Sequence, residues 1–204
     1  MLYSKNNVMI YEKLFTAIEQ HVPLSEIEKN SIRSYSVVKK FRKHQYLLQE
    51  GNISYTENFV VKGCLRSYEV NEKGQEHVIQ FSVEDWWAGD LLSFLTEQPS
   101  SYNIDCLEDT EVIQFTKTGL DRLYDEVPMV ERYFRLLLQN AYIAASDRLL
   151  STLSKSAVEK YDDFIKKYPH IEMRVTNKQI ASYLGITPES LSRIRRQYVL
   201  LPNS

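Results

Sequence analysis

The feature that most constrains the fold is a segment near the C-terminus that reads as two short helices joined by a glycine turn. Thr176 followed by Gln179 predicts a capping box at the start of the first helix. Gly185 predicts its end, because a residue without Cβ readily adopts the left-handed backbone of a tight turn. Thr187 and Pro188 predict the start of the second helix, where a missing N–H leaves no hydrogen bond unmade. The pattern is typical of a helix-turn-helix.

The second helix, predicted over Pro188–Gln197, has an apolar face and a polar face. Leu191 and Ile194 are predicted to face inward. Arg, Ser and Glu on the opposite face suit base edges and phosphates in the major groove of DNA. The candidate DNA-contacting residues, on this face and at the starts of both helices, are Thr176, Lys178, Thr187, Glu189, Ser190, Ser192, Arg193 and Arg196. An ordinary surface hairpin with a solvated charged face is the alternative.

The charge of the chain is uneven. Its 204 residues carry a formal net charge of −2, which argues against a protein that coats nucleic acid indiscriminately. Within the helix-turn-helix, a single acid, Glu189, is opposed by four basic residues: Lys178, Arg193, Arg195 and Arg196. Positive potential is therefore concentrated where DNA would dock.

Several classes of protein are disfavoured by what the sequence lacks. No apolar run approaches the length of a membrane span, and the N-terminus lacks the pattern of a signal peptide, so a cytoplasmic protein without membrane contact is expected. Cys64 and Cys106 are the only cysteines, which supports neither a disulfide framework nor a Cys-ligated metal. His44 and His77 are isolated from each other and from carboxylate clusters. We therefore expect no cofactor and no metal.

The rest of the chain changes character twice, which predicts an α+β fold. A helix over Val8–His21 and a short one from the Ser25 capping box to Arg33 come first. From Tyr35 to Phe115, short β-branched and aromatic runs alternate with turn residues, which predicts an antiparallel sandwich or roll of about eight strands. The helices that follow are predicted at Gly119–Asp125, Pro128–Leu153 and Ala157–Tyr168. The expected domains are a jelly-roll-like β-roll (1–125), a long helix (126–155) and the helix-turn-helix domain (156–204).

The long helix carries apolar residues on two faces, so it needs two partners. One face can lie on the β-roll. The other is predicted to pack against the same helix of a second subunit, through Val130, Phe134, Leu137, Ala141 and Ala144. A homodimer suits an operator of two-fold symmetry. A helix buried entirely within its own chain is the alternative.

The order of these parts resembles the Crp/Fnr family of bacterial transcription regulators over nearly the whole chain. The matching motifs are Glu50-Gly51, Phe59–Gly63, Gly89-Asp90 and Thr187–Arg193. The resemblance implies a cyclic-nucleotide-binding-like sensor roll and a non-enzymatic regulator that binds a double-stranded DNA operator. RNA polymerase and an unidentified small-molecule effector are further partners that it allows. It places the family's major-groove Glu and Arg on Glu189 and Arg193, whereas Pro188 stands where an Arg often precedes that Glu.

The sensor segment departs from the family's cyclic-nucleotide binders. Those proteins place a Gly-Glu pair against the ribose and an Arg on the phosphate, whereas this chain has Gly89-Asp90 and no basic residue between Lys73 and Lys117. A buried phosphate without a cation is costly, so cyclic nucleotides are not expected to bind, and an effector, if there is one, should be neutral or apolar. The candidate pocket residues are Trp87, Gly89, Asp90, Leu91, Ser101 and Tyr102.

The end of the chain also departs from the family, which usually follows the helix-turn-helix with a β-hairpin wing. Only Tyr198 to Ser204 remain after Gln197, too few for two paired strands. Two other functions stay open. One is a small-molecule-binding or interaction protein whose helix-turn-helix reads no operator. The other is a double-stranded β-helix enzyme, which would require a paired-histidine metal site that His44 and His77 do not supply.

Overall fold

The fold of the chain is given by a computed structural model that describes residues 5–200. It begins with α1 (Lys5–Glu19) and α2 (Glu26–Ser34). The capping box predicted at Ser25 is confirmed, since the backbone N–H of Ser25 donates to the Glu28 carboxylate at 2.7 Å and the Glu28 N–H donates to the Ser25 hydroxyl at 3.4 Å. Leu14 and Phe15 of α1 are fully buried, so this helix helps to build the core.

Eight antiparallel strands form the predicted roll. They make two four-stranded sheets, in the orders β1-β8-β3-β6 and β2-β7-β4-β5. The strands are β1 (Ser36–Phe41), β2 (Tyr46–Leu48), β3 (Thr56–Lys62), β4 (Leu65–Val70), β5 (Glu76–Ser82), β6 (Trp87–Ala88), β7 (Asn103–Cys106) and β8 (Thr110–Thr116). The last part of the predicted β region forms two strands, β7 and β8, because a bend at residues 107 and 108 separates them.

Strand β3 separates two apolar cores. Phe59 and Val61 face the helices and belong to one buried cluster, whereas Val60 belongs to the other, between the sheets. Alternate residues of a strand point to opposite faces, which explains the division. The pairing of β3 with β8 places Phe59 opposite Ile113 and Glu57 opposite Phe115. Glu57 therefore lies in the same row as Phe59 and Val61.

The remaining helices follow the predicted order. They are α3 (Leu91–Thr96), α4 (Lys117–Glu126), α5 (Pro128–Ser154), α6 (Ala157–Lys167), α7 (Pro169–Glu172), α8 (Asn177–Leu184) and α9 (Pro188–Leu200). The sequence pattern missed α3 and α7, which are too short to show a helical period. Helix α9 continues beyond Gln197, and residues 201–204, on which the prediction of a missing wing partly depends, lie outside the described residues. Within residues 5–200, no helix combines the length and apolar character of a membrane span.

The first turns of α5 pack into the roll of their own chain. Val130 and Tyr133 are buried, and Phe134 packs against the same core. Val130 is 2% exposed and so offers a partner almost no surface, which corrects the predicted dimer seam at this residue. Phe134 is only partly buried, so the seam at Phe134 stays a prediction. Leu137 and Ala144 are partly exposed and Ala141 is exposed. Further along α5, the exposed large apolar residues are Leu138, Tyr142, Ile143, Leu149, Leu150 and Leu153.

The chain divides into two compact units. One contains the residues up to Ser67 together with Ser82–Asn140, and the other contains Tyr68–Phe81 together with the residues from Ala141 onward. The second unit therefore holds the helix-turn-helix and the outer part of the β4–β5 hairpin.

Side chains of α5 and α8 join the parts of the second unit. The Ser182 hydroxyl donates to the carbonyl of Glu76 at 2.9 Å and accepts from the N–H of Val78 at 2.8 Å. The Arg148 guanidinium lies 4.1 Å from the centre of the Tyr183 ring and donates to the Tyr183 carbonyl at 3.1 Å. Helix α8 is thus fixed to strand β5 by a serine and to α5 by an arginine.

Candidate functional site

The helix-turn-helix is formed by the local signals that the sequence carries. The Gln179 side chain accepts from the N–H of Thr176 at 2.9 Å and the Thr176 hydroxyl accepts from the N–H of Gln179 at 3.3 Å, which confirms the capping box. Gly185 has a φ of 65°, and a Cβ there would meet open space, so its conformation and not crowding favours glycine. The N–H of Gly185 bonds to the Ser182 carbonyl and that of Ile186 bonds to the Ala181 carbonyl, which closes the helix with a Schellman motif.

Helix α9 presents the predicted face to solvent. The Thr187 hydroxyl accepts from the N–H of Ser190 at 3.2 Å and so caps the helix. Leu191 and Ile194 are buried, as are Ile180 and Ala181 on α8. Close packing of these four apolar side chains fixes the angle between the helices. The opposite side of α9 is left exposed at four polar positions: Glu189, Ser192, Arg193 and Arg196.

Most polar groups on this face keep the capacity to bind a further molecule. The Nη2 of Arg193 donates to the Ser190 hydroxyl at 3.3 Å, which restrains the orientation of the guanidinium and leaves its charge uncompensated. The Ser192 hydroxyl donates to the Pro188 carbonyl at 2.9 Å and still has acceptor capacity. Lys178 and Arg196 are exposed and form no ion pair with any residue that the structure describes. The exposed face therefore carries uncompensated positive charge.

Arg195 does not belong to this exposed basic surface, contrary to the prediction. Its guanidinium donates to the Tyr161 hydroxyl at 3.0 Å and also bonds to the Glu172 carboxylate and to the Asn177 side chain. Burial, followed by the bond to Glu172, raises the pKa of Tyr161. These partners come from α6, α7 and α8. Arg195 thus fixes the orientation of α9, and a surface contact with phosphate would require it to leave them.

An open groove of about 380 Å³ borders Arg193. It lies between the start of α6, at Ser156 and Val158, and the outer side of α9, at Ser190 and Gln197. The groove extends the exposed polar surface of α9 toward the neighbouring helix, so an elongated ligand that contacts Arg193 would also lie beside α6.

In the sensor roll, the structure brings together three of the six predicted pocket residues. Asp90 is buried and caps α3, with its carboxylate accepting from the N–H of Ser93 at 3.1 Å. The Tyr102 hydroxyl donates to the Gly89 carbonyl at 3.4 Å and lies within reach of the charge of Asp90. Burial, with the charge of Asp90 adding to it, raises the pKa of Tyr102. Gly89, Asp90 and Tyr102 therefore form one polar cluster.

The other three predicted pocket residues lie elsewhere. The Trp87 ring is 4.6 Å from the Phe134 ring and 5.6 Å from that of Phe115, and its Nε1 donates to the Tyr133 hydroxyl at 3.0 Å. Trp87 is thus part of an aromatic cluster of the core. Ser101 is exposed, and Leu91 begins α3 with 38% of its surface exposed.

Glu57, which the sequence reading missed, completes the polar cluster. It is buried on β3, and a Cβ added at residue 89 would lie 2.6 Å from both of its carboxylate oxygens. Its Oε1 is buried without a hydrogen-bond partner in the structure. Burial, and then the charge of Asp90, raises the pKa of Glu57 to about 8. The sequence signal that could have identified Glu57 is its place two residues before Phe59, at an alternating position of β3 that otherwise carries apolar side chains.

Two basic residues of the roll that are candidates to bind an anionic ligand, Arg66 and Lys117, are already paired. Arg66 holds Asp105 in a buried two-point contact, with Nε–Oδ1 at 2.9 Å and Nη2–Oδ2 at 3.1 Å. Lys117 pairs with Glu97, at the end of α3, at 2.7 Å. An anion bound beside Asp90 would therefore face carboxylates and not guanidinium groups. In the part of the chain that the structure describes, no group of three or more His, Cys, Asp or Glu side chains could hold a metal ion.

The chain is similar to known regulatory proteins. A family model described as a cyclic nucleotide-binding domain matches residues 38–127, from within β1 to just past α4. The chain is 25% identical over 169 residues to the fumarate and nitrate reduction regulatory protein of Yersinia pestis, covering 76% of this chain and 66% of the relative. It is 26% identical over 170 residues to the anaerobic regulatory protein of Haemophilus influenzae, covering 76% and 64%. It thus spans just under two thirds of the length of these curated relatives.

The fold is also similar to that of solved structures. FixK2 from Bradyrhizobium japonicum superposes with a TM-score of 0.69 at 18% identity, over 83% of this chain and 89% of that one. At this level of identity the likeness shows a shared fold, in which a β-roll, a long helix and C-terminal helices follow one another in the same order.

Proposed function

We propose that the chain is a bacterial transcription regulator of the Crp/Fnr type, on its likeness to the cyclic nucleotide-binding domain and to the regulatory proteins named above, and that it reads a specific operator in double-stranded DNA as a homodimer. Helix α9 enters the major groove in this proposal. The observation that carries it is the exposed face of α9, where Glu189, Arg193 and Arg196 stand on a helix whose opposite side is fixed by buried Leu191 and Ile194.

The exposed side chains of α9 take different roles. Arg193, which lies one helical turn after Glu189, donates to the O6 and N7 edge of a guanine. Arg196 and Lys178 contact phosphates, which fixes the register of the protein on DNA without reading sequence. Ser190, Ser192 and the capping residues Thr176 and Thr187 supply neutral hydrogen-bonding groups at the same surface.

The dimer forms along α5 in this proposal. The exposed apolar residues Leu138, Tyr142, Leu149 and Leu153 follow steps close to the helical repeat and require a partner to be covered. Two such helices would bury apolar area above roughly 1,000 Å², as a stable interface requires. A two-fold dimer then presents two copies of α9 to successive major grooves, at half-sites about one helical turn apart.

The sensor roll is proposed to respond to something other than a cyclic nucleotide, since a phosphate beside Gly89 would meet the Asp90 carboxylate, while Arg66 and Lys117 are already paired with Asp105 and Glu97. The protein is proposed to act in the cytoplasm, without enzymatic activity, and RNA polymerase is a further partner that this function allows.

Selection of bound sequences from a random DNA library tests the proposal. Purified wild-type protein should enrich one palindromic site, and Arg193→Ala should relax the preference at one base pair in each half-site. A helix-turn-helix that serves only as an interaction module would enrich no sequence. That result would overturn the proposed function in favour of the interaction protein.

A further inference from the structure

The sensor roll contains an acid whose burial its own chain does not compensate. Glu57 is 8% exposed, and its Oε1 has no hydrogen-bond partner in the structure. An uncompensated buried carboxylate is costly, and proteins normally neutralise one by a proton, a metal or a cationic partner. Glu57 therefore marks a place where a positively charged group would be stabilised.

The groups around Glu57 all favour a cation. The Glu57 carboxylate packs on Gly89, which Asp90 follows in the loop before α3. The Tyr102 hydroxyl, from the loop before β7, donates to the Gly89 carbonyl at 3.4 Å, and the charge of Glu57 also acts on Tyr124 of α4. Burial, and then the charges of nearby carboxylates, raises the pKa of both tyrosines, so each phenol stays neutral and can accept a hydrogen bond or present its ring. No basic residue of the described chain opposes the rise in the pKa of Glu57. The site thus offers two carboxyl groups and two phenols without an internal counter-ion.

The close packing around Glu57 excludes a large ligand. The Glu57 carboxylate lies over Gly89 so closely that a Cβ at residue 89 would clash with it at 2.6 Å. The donor set also argues against a multidentate metal site, since no group of three suitable side chains exists among residues 5–200. An ammonium group fits better, because its N–H donors match oxygen acceptors at hydrogen-bond distance and its charge suits an aromatic neighbour.

We propose that Glu57 and Asp90, together with Tyr102 and Tyr124, form a binding site for the ammonium group of a small organic amine. The proposal rests on the proposed function in one respect, which is that the amine would be the effector of a DNA-binding regulator. It replaces the neutral or apolar effector that the sequence pattern favours. The Glu57 carboxylate binds the charged nitrogen, Asp90 adds a second negative charge from the cap of α3, and binding thereby draws the start of α3 toward β3.

Methylammonium chloride is the probe that tests the site, because it carries the proposed group and little else. Thermal unfolding of the full-length protein at constant ionic strength should shift upward and saturate, with half-saturation at about 1–10 mM for so small a ligand. Sodium and potassium chloride at the same concentrations separate a metal cation from an ammonium group. Glu57→Gln should abolish the saturable shift. Glu111→Gln is the matched control, since Glu111 on β8 already pairs with Lys40 and lies outside the cluster.

The pH dependence gives a second readout that a merely structural acid would not give. Because the proton and the amine compete for Glu57, the apparent affinity should rise about tenfold per pH unit up to the pKa of Glu57 and then level off. Absence of saturable binding at pH 9, or equal binding to Glu57→Gln, would overturn the proposal and leave Glu57 as a proton site only. A saturable shift with sodium or potassium but not with methylammonium would also overturn it. DNA selection is measured without amine, so a failure of the proposed function is separate from a failure of this site.

Discussion

Arg195 lies on α9, the proposed DNA-reading helix, but its side chain binds other parts of the protein. We expect Arg195→Met to lower the free energy of unfolding by about 1–3 kcal/mol, because the buried Tyr161 hydroxyl and the partly exposed Glu172 carboxylate lose a charged donor. It should weaken binding to operator and random DNA by the same factor, since α9 as a whole loses its fixed orientation. Urea unfolding and DNA titration measure the two effects. Arg196→Met is the control and should leave stability within about 0.5 kcal/mol.

Arg193 and Arg196 should differ in what they contribute to DNA binding. Arg193→Ala should cost about 1–3 kcal/mol on the operator and little on random DNA, because the lost contact is to a base edge. Arg196→Ala should weaken binding to all sequences and reduce the slope of affinity against salt, because the lost contact is to a phosphate. Titrations of both variants at several salt concentrations test this. Equal losses on operator and random DNA for Arg193→Ala would contradict the assignment.

Glu57 should make stability depend on pH. Its pKa is raised from 4.5 to about 8 in the folded protein, so the protonated carboxyl favours folding. This stabilisation is fully present below about pH 4.5 and is lost as pH rises through about 8, at no more than about 1.4 kcal/mol per pH unit. We expect Glu57→Gln to remove this dependence and to be more stable than wild type at pH 9. Urea unfolding at pH 5, 7 and 9 measures it, and parallel pH profiles for the two proteins would refute the expectation.

At the scale of elements, the two faces of α5 can be distinguished by substitution. Leu149 is 62% exposed within its own chain, so Leu149→Glu should separate the dimer into monomers by placing a charge in the seam. Ile27→Glu is the control, because Ile27 on α2 is 80% exposed and lies outside the proposed seam. Sedimentation at micromolar concentration measures the result. If Ala144→Arg separates the dimer and Leu149→Glu does not, the seam runs along Ala141 and Ala144, as the sequence pattern predicts.

The elements that the sequence predicted best are those with a signal at their ends. Ser25, Thr176 and Gly185 each mark a helix end by local hydrogen bonding, so the sequence alone places those ends. Helix α3 was not predicted. Its cap, Asp90, was interpreted as a ligand-binding residue, and its six residues complete fewer than two turns. Which residues of α5 pack on the roll and which stay exposed depends on contacts with residues far away in the sequence. The spacing of apolar residues along α5 does not reveal those contacts.

In the candidate sites too, local sequence signals were predictive and contacts between distant residues were missed. Leu191 and Ile194 identify the inner side of α9 by spacing, and the outward face follows from them. Arg195 was misread because its partner Glu172 belongs to the short helix α7, which the sequence did not predict. Glu57 was missed because strand pairing, which brings it opposite Phe115, and the approach of Gly89 are both non-local.

At the scale of the whole molecule, cyclic AMP and cyclic GMP should have no effect on binding to the operator. Gly89-Asp90 places a carboxylate where a phosphate would need a cation, and Arg66 and Lys117 are held by Asp105 and Glu97. Isothermal titration with millimolar cyclic nucleotide should give no saturable heat, and operator affinity should be unchanged. Micromolar affinity would show that one of these cations had left its partner to bind the phosphate.

Strand β5 lies at the end of its sheet, where a strand usually offers its backbone to any other chain. The hydroxyl of Ser182 occupies two of its backbone groups, at Glu76 and Val78. A serine on a helix thus shields part of an edge that would otherwise invite intermolecular strand addition. The proposed DNA-reading helices thereby also protect the solubility of the protein, and conditions that detach α8 from β5 would expose a template for aggregation.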